Sequence, residues 1–435
     1  MSPLVIGALG LGALFALILA QVPIGFAMII VGVAGLALQT SWGTALTLLA
    51  TEPASVLSNV DLATVPLFLL MGTFATMAGF SEEIYAAVTA FFGHRRGGLA
   101  YATIGGSAAF GVMCGSSTAT AATFTRVALP EMLKRGYSPA FSTGTIAAGG
   151  TLKSLIPPSI VMVLYCIATK TFIFDLFTAA VIPALLAILL NLVAIAAVVR
   201  LTPEAAPISE RTSFPERWTA LRKASPVLFL IAGVFGGLYS GIFTVSEAAS
   251  VAAVLSFMCA ILRRRVTWSS FFSGLREAAS ATGMLYIILI GAFVFSYFVT
   301  IARIPEALVQ TIDALSLPPL GIVALILLAY LVLGAVFDEI SAMLITLPFI
   351  LPVIVKLGYD AVWWGVLNVV VIELGMIIPP IGVIVFLLHG LAPQISIGTI
   401  YRGVIPFIIA DLALLAILAA FPVISLWLPA FLAAR

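Results

Sequence analysis

Two strings decide the reading of this chain: Leu129-Pro130-Glu131-Met132-Leu133-Lys134-Arg135-Gly136-Tyr137 and Leu351-Pro352-Val353-Ile354-Val355-Lys356-Leu357-Gly358-Tyr359. They share Leu-Pro, a lysine and Gly-Tyr in the same places, 222 residues apart counted from Gly136 to Gly358. Ile156-Pro157-Pro158 recurs as Ile378-Pro379-Pro380 at that same spacing. After one inserted residue, Ile182-Pro183 is matched by Ile405-Pro406. A constant offset through apolar sequence marks an internal duplication.

Of 435 residues, 62% are hydrophobic and 9% charged, and mean hydropathy is +1.23. A soluble domain carries about 25% charged residues, so lipid solvates most of this chain. That excludes a soluble globular enzyme. A net charge of +2, scattered along the sequence, excludes a nucleic-acid surface. Cys114, Cys166 and Cys259 are far apart, with no CxxC or histidine companion, and read as small buried apolar residues. No transition-metal site and no cofactor are expected. No charge occurs from Met1 to Thr51, too long a stretch for a signal-peptide core, so this start reads as retained helices.

Charge-free stretches predict spanning helices near 3–20, 22–39, 62–80, 172–199, 224–240, 243–262, 281–301 and 400–420. Regions 98–135 and 318–357 differ. Each holds two apolar runs, shorter than a comfortable span, separated by Gly115-Ser116-Ser117 or by Asp338-Glu339. Such pairs predict re-entrant hairpins, tolerated in lipid only where their turns are buried in protein or line a cavity. Regions 138–169 and 360–391 are helices broken at the proline pairs, which free backbone carbonyls. With the N-terminus outside, the positive-inside rule puts Arg95, Arg96, Arg126, Lys134, Arg135, Arg200, Arg211, Arg217, Arg222, Lys223, Arg263, Arg264, Arg265, Arg276 and Arg402 on the inner side. Lys153, Lys170, Arg303, Lys356 and Arg435 are exceptions. The first hairpin then opens inward and the second outward, as inverted repeats do.

Inverted repeats with paired broken helices point to a secondary transporter whose ion and substrate sites lie near the midplane. Carbonyls and helix C-termini hold cations there, while helix N-termini face anions. Gly115-Ser116-Ser117-Thr118 opposite Gly149-Gly150-Thr151, and Asp338-Glu339-Ile340-Ser341 opposite Glu373-Leu374-Gly375, are the candidate ion sites.

These residues resemble the large membrane subunit of tripartite ATP-independent periplasmic (TRAP) transporters over essentially the whole chain. In the first half the matching motifs are Gly115-Ser116-Ser117, Pro130-Glu131-Met132, Gly136-Tyr137, Gly149-Gly150-Thr151, Ile156-Pro157-Pro158-Ser159, Leu176-Phe177 and Ile182-Pro183. In the second they are Gly241-Ile242-Phe243-Thr244, Glu247-Ala248-Ala249, Asp338, Pro348, Pro352, Gly358, Glu373-Leu374-Gly375 and Pro379-Pro380-Ile381-Gly382. The resemblance implies an elevator-type importer in a bacterial inner membrane. It would work with a small four-helix membrane subunit, here a separate chain, and a periplasmic substrate-binding protein, using sodium as coupling ion to import organic acids such as dicarboxylates or sialic acid.

One departure stands beside the first ion site. Lys153 occupies a position where relatives carry a small residue. An ammonium near mid-membrane is costly and is usually functional or paired. It can bind a substrate carboxylate, stand in for a sodium ion, pair with Glu373 or Asp338, or snorkel to water. Glu247 reads as a helix cap after Thr244. Asp338 is open between cation ligand and N-cap, with Glu339 as the solvent-facing neighbour, and Ser116 and Ser117 between ion ligands and close-packing small residues. His94 and His389 read as interfacial. An intramembrane hydrolase using Ser116 or Ser117 with His389 as base, and a passive anion channel, are the rival classes.

The expectation is therefore an all-α polytopic membrane protein of about eleven spans plus two re-entrant hairpins. Its parts would be scaffold helices in 1–61, a first repeat in 62–199, a cytoplasmic linker in 200–223, scaffold helices and an arm in 224–280, and a second repeat in 281–435. Amphipathic arm helices are expected at 82–96 and 267–280. Sodium candidates are Gly115, Ser116, Ser117, Gly150 and Thr151 in one site, and Gly334, Asp338, Gly375 and Met376 in the other. Substrate candidates are Lys153, Pro157, Pro158, Ser159, Glu373, Pro379 and Pro380.

Overall fold

In the computed structural model the described residues are 2–208, 211–314 and 316–433, so Arg435 lies outside them. All regular structure among them is helical. The first half runs α1 (Pro3–Leu19), α2 (Ile24–Gln39), α3 (Trp42–Leu57), α4 (Thr64–Ala78), α5 (Phe80–Phe92), α6 (Gly98–Cys114), α7 (Ser117–Lys134), α8 (Pro139–Leu155), α9 (Ile160–Thr169) and α10 (Ile173–Leu201). The second runs α11 (Phe214–Tyr239), α12 (Val245–Leu262), α13 (Trp268–Ile301), α14 (Ile304–Ala314), α15 (Pro319–Val336), α16 (Glu339–Lys356), α17 (Ala361–Gly375), α18 (Val383–Leu391), α19 (Ile397–Ala420) and α20 (Val423–Ala433). Nine helical segments among the described residues are long and apolar enough to cross a membrane, and five shorter apolar helices accompany them. Outward faces are apolar: α10 exposes more than half of Leu185, Leu189 and Val193, one helical turn apart.

The duplication is visible in the bounds of the helices. α7 and α16 start 222 residues apart, at Ser117 and Glu339, and so do α8 and α17, at Pro139 and Ala361. Similar correspondence pairs α2 with α12 and α5 with α14, so it is not confined to 62–199 and 281–435. Packing is reciprocal too. α2 lies against α13 as α12 lies against α4, α8 against α19 as α17 against α10, and α18 against α7 as α9 against α16. Two related halves that pack in exchanged pairs are joined by a pseudo-two-fold axis, since a contact of i with j then implies one of j with i.

Some boundaries differ from the sequence reading. The segment read as linker is helical from Phe214, because Ser213 and Glu216 form a capping box and Pro215 suits the first turn. The arm expected at 267–280 and the span expected at 281–301 are one helix of 34 residues, α13, in which no glycine or proline enforces a break. Its counterpart in the first half is interrupted between α3 and α4 by a 3-10 turn at Val60–Ala63. The hairpin arms α6, α7, α15 and α16 are 17 or 18 residues long, close to the bounds read from sequence. At 1.5 Å per residue each reaches about 26 Å.

Close backbone crossings hold this arrangement. A Cβ on Gly403 would overlap the carbonyl oxygen of Ala140, and one on Gly144 the carbonyl of Gly403, so α8 and α19 touch through glycine. α15 and α17 do so at Gly334 and Gly375, where a Cβ on Gly375 would lie 2.6 Å from Gly334 Cα. In membranes, where apolar burial does not drive helices together, such small-residue contacts supply the packing.

Candidate functional site

Each hairpin turn is built by local backbone chemistry. Gly115 ends α6 with a left-handed backbone (φ 70°), which glycine adopts without a Cβ clash. Ser116 then caps α7, its Oγ accepting from Ala119 N. In the second half Asp338 caps α16, its Oδ1 accepting from Ile340 N at 3.2 Å and Ser341 N at 3.0 Å. Both proline pairs follow the ends of α8 and α17, and each is joined by a cis peptide.

The next residue on each hairpin points into the molecule, and the two meet. Ser117 Oγ lies 3.3 Å from Glu339 Oε2, and these residues are themselves 222 positions apart. Equivalent positions in contact place the pseudo-two-fold axis between them. Ser117 Oγ also lies 2.9 Å from Glu373 Oε1 and 2.9 Å from Ser154 Oγ, and Ser154 Oγ lies 3.2 Å from Glu339 Oε2. Lys153, fully buried, donates to Ser154 Oγ at 3.3 Å.

Counting hydrogens shows what this cluster is short of. Ionised carboxylates only accept, and each hydroxyl carries one hydrogen. If Ser117 donates to Glu373 and Ser154 to Glu339, the remaining two oxygen contacts have no hydrogen between them. Lys153 supplies one donor, to Ser154, and formal charge stays at minus one from two carboxylates and one ammonium. A proton on a carboxyl or a bound cation completes such a set.

Lys153 does not snorkel, since none of it reaches the surface, and among the described residues no carboxylate oxygen lies within 4.0 Å of its ammonium. It occupies the position that Gly375 holds in the other half: Gly111 packs on Lys153 as Gly334 packs on Gly375. Asp338 is exposed at the rim, and Glu339, read as the solvent-facing member, turns inward instead. Successive helical residues point about 100° apart, so the capping residue and its neighbour face different ways.

The other candidates lie around this centre. Gly150 is where α8 meets Ala121 and the Ser117 carbonyl of α7. Thr151 is buried and donates to Ala148 O at 2.9 Å. Met376 follows α17, its carbonyl accepting from Ile384 N at 3.1 Å. Ser159 is buried with no hydrogen-bond partner at its Oγ. Pro157 and Pro158 are buried, whereas Pro379 and Pro380 are exposed, and Tyr401 OH approaches the Pro380 and Ile381 carbonyls at 3.0 and 2.7 Å. Sequence reasoning missed Ser154. The signal was present, because Ser154 adjoins Lys153 in the last turn of the same helix.

Away from the centre the reading of Glu247 as a helix cap holds. Glu247 closes a capping box on Thr244, its Oε2 accepting from Thr244 N at 2.8 Å. His389 Nδ1 contacts Ile395 O at 2.8 Å and has no hydrogen bond to Ser116 or Ser117. His94 has its pKa lowered, first by lost hydration and then by Arg217, Arg211 and Arg95 around it.

Residues 11–424 match the family model of the DctM component of tripartite ATP-independent periplasmic transporters. The chain is 35% identical over 399 residues to the C4-dicarboxylate TRAP transporter large permease protein DctM of Pseudomonas aeruginosa, covering 89% of this chain and 93% of that protein. It is 30% identical over 414 residues to the sialic acid TRAP transporter large permease protein SiaM of Vibrio cholerae, covering 95% and 96%. The fold is shared with the Alcanivorax borkumensis YdaH transporter at TM-score 0.59 and 14% identity, covering 88% of this chain and 89% of that one. Relatives of this kind are permease subunits rather than enzymes. On the repeat, the broken helices and the near full-length family match, the chain belongs to the DctM large permease family of TRAP transporters.

Proposed function

We propose that this chain carries out sodium-coupled uptake of an organic carboxylate across a bacterial inner membrane by an elevator motion. It would receive substrate from a periplasmic binding protein and act beside a small four-helix membrane subunit. The observation that carries the reading is the cluster of Ser117, Ser154, Glu339 and Glu373, where both hairpin turns meet around an excess of acceptor oxygens. Relatives named for C4-dicarboxylates and sialic acid support a carboxylate as substrate. Exposure of the second proline pair and burial of the first support a conformer open beside one half.

In this reading Lys153 stands in for a sodium ion at the first turn, beside Ser116, Ser117, Gly150 and Thr151. A mobile sodium binds at the second turn, near Gly334, Asp338, Gly375 and Met376, where helix-end carbonyls and the Asp338 carboxylate are at hand. The substrate carboxylate binds between the proline pairs, with the Ser159 hydroxyl as a donor. No cofactor takes part.

The test is uptake into proteoliposomes holding both membrane subunits and supplied with the loaded binding protein. An inward sodium gradient is expected to drive accumulation. Losing a hydrogen bond to a charged group costs about 1.5–3 kcal/mol, so Ser117→Ala is expected to lower uptake roughly 10- to 100-fold. Accumulation that persists without sodium, or that Ser117→Ala leaves untouched, overturns the reading.

A further inference from the structure

Arginines converge where the loop between α5 and α6 meets the start of α11, and none of them takes part in the cluster at the turns. Besides the lost hydration that chiefly lowers the basicity of His94, Arg217, Arg211 and Arg95 lie close enough to lower it further. Arg96 is next in the loop. Gly97 packs on α10, where a Cβ would lie 2.7 Å from Val199 Cγ2, so Arg200 at the end of α10 adjoins the same place. Among the described residues, none of Arg95, Arg96, Arg200, Arg211 and Arg217 has a carboxylate oxygen within 4.0 Å. The acid next to Arg217 in sequence, Glu216, is committed to the cap of α11, where its Oε2 accepts from Ser213 N at 2.9 Å.

Arg217 lacks a counter-charge most directly. Its Nε and Nη2 are shut off from water and have no acceptor in the protein, and His94 Nδ1 is unpartnered in the same way. A buried guanidinium without a partner is costly, and the amino end of a helix adds positive potential instead of cancelling it. An anion among these groups relieves both. The surroundings indicate which kind. Phe214, Arg217 and Trp218 share one face of α11, and both aromatic rings are exposed. Phe91 and Phe92 are exposed at the end of α5, and the Arg95 guanidinium lies 5.7 Å from the centre of the Phe92 ring. Cations backed by exposed aromatic rings at the ends of apolar helices suit a lipid headgroup with its chains attached, whereas a soluble anion has no use for the rings.

We propose that Arg95, Arg211 and Arg217 hold the phosphate of an anionic phospholipid, with its acyl chains running over Phe91, Phe92, Phe214 and Trp218. Guanidinium groups donate strong, directed hydrogen bonds to phosphate oxygens, and Nη1 of Arg217 is the nitrogen not closed in. A lipid held there ties the α5–α6 loop to the start of α11. The site stands independently of sodium coupling, because its test measures lipid and not transport.

The test is native mass spectrometry of the purified full chain in detergent, titrated with phosphatidylglycerol or with phosphatidylcholine of the same acyl chains. Phosphatidylglycerol is expected to bind more than tenfold more tightly. One basic residue beside an anionic lipid is worth about fivefold in affinity. Arg211→Gln is therefore expected to weaken phosphatidylglycerol about fivefold, and Arg95→Gln with Arg217→Gln about 25-fold, with phosphatidylcholine unchanged in both. Arg135→Gln removes an arginine already paired with Glu131 and is expected to bind as the parent chain does. Equal affinity of the parent chain for the two lipids overturns the proposal. So does full affinity in Arg211→Gln, whose exposed position outside the helices lets it decide the matter even if the double variant does not fold. A loss in Arg135→Gln equal to that in Arg211→Gln overturns it as well, since any surface charge would then serve. Displacement of the lipid by inorganic phosphate at equal concentration does the same, by showing a site for a soluble anion.

Discussion

At the scale of single residues, Lys153 and the two inward carboxylates are mutually dependent. Removing one partner of a buried charged set leaves an uncompensated charge, at a cost of about 3–5 kcal/mol, whereas removing opposite charges together costs far less. Lys153→Met is therefore expected to lower the thermal midpoint of the purified chain strongly, and Lys153→Met with Glu339→Gln to recover most of it. Asp338 makes a different prediction, because its cap uses Oδ1 alone. Asp338→Asn keeps the cap and should leave the thermal midpoint in place while raising the sodium concentration needed for half-maximal uptake several-fold. Asp338→Ala should add a stability loss of about 1 kcal/mol. What sequence could not resolve was which acid faces inward, Asp338 or Glu339. Adjacent helical residues diverge by about 100°, and only the position of the cap sets the rotation.

At the scale of helices, the crossings are the sensitive points. Gly403→Leu is expected to separate α8 from α19, because the added side chain meets the Ala140 backbone, which cannot move aside as a side chain could. Its signature is loss of the monodisperse peak in detergent chromatography, while Gly398→Leu on the same helix, where a Cβ meets nothing, is expected to elute normally. Arg263 makes a second tie. It donates to Ala78 O at 2.8 Å, pairs with Glu83 at 2.8 Å and lies over the Phe80 ring, fastening α12 to the bend at Gly79 between α4 and α5. Arg263→Gln is expected to raise amide hydrogen exchange across Phe80–Phe92 while leaving α8 and α17 protected. The broken helices and both turns were legible in sequence, since proline pairs, the glycine-serine break of one hairpin and the acidic cap of the other act locally. Continuity of α13 and the helical start at Phe214 were not, because hydropathy marks where lipid ends and not where a helix ends.

At the scale of the whole molecule, the repeat was legible as a fixed offset, and its consequence was not: a one-dimensional spacing does not say that equivalent residues touch. The halves are alike in packing and unlike in exposure, with Pro158 buried and Pro380 exposed. A cysteine at 380 is expected to react with a membrane-impermeant maleimide, and one at 158 to be protected, in the same resting preparation; equal labelling would remove the support for a one-sided conformer. Ser117 and Glu339 sit on the line that exchanges one half for the other. If the halves trade roles during a cycle, each of these two inherits the surroundings of the other, and a hydroxyl is not a carboxylate. The two end states then differ in free energy before any ligand arrives, so the resting preference of the machine is written in part into the mismatch of this residue pair, beside that of Lys153 and Gly375.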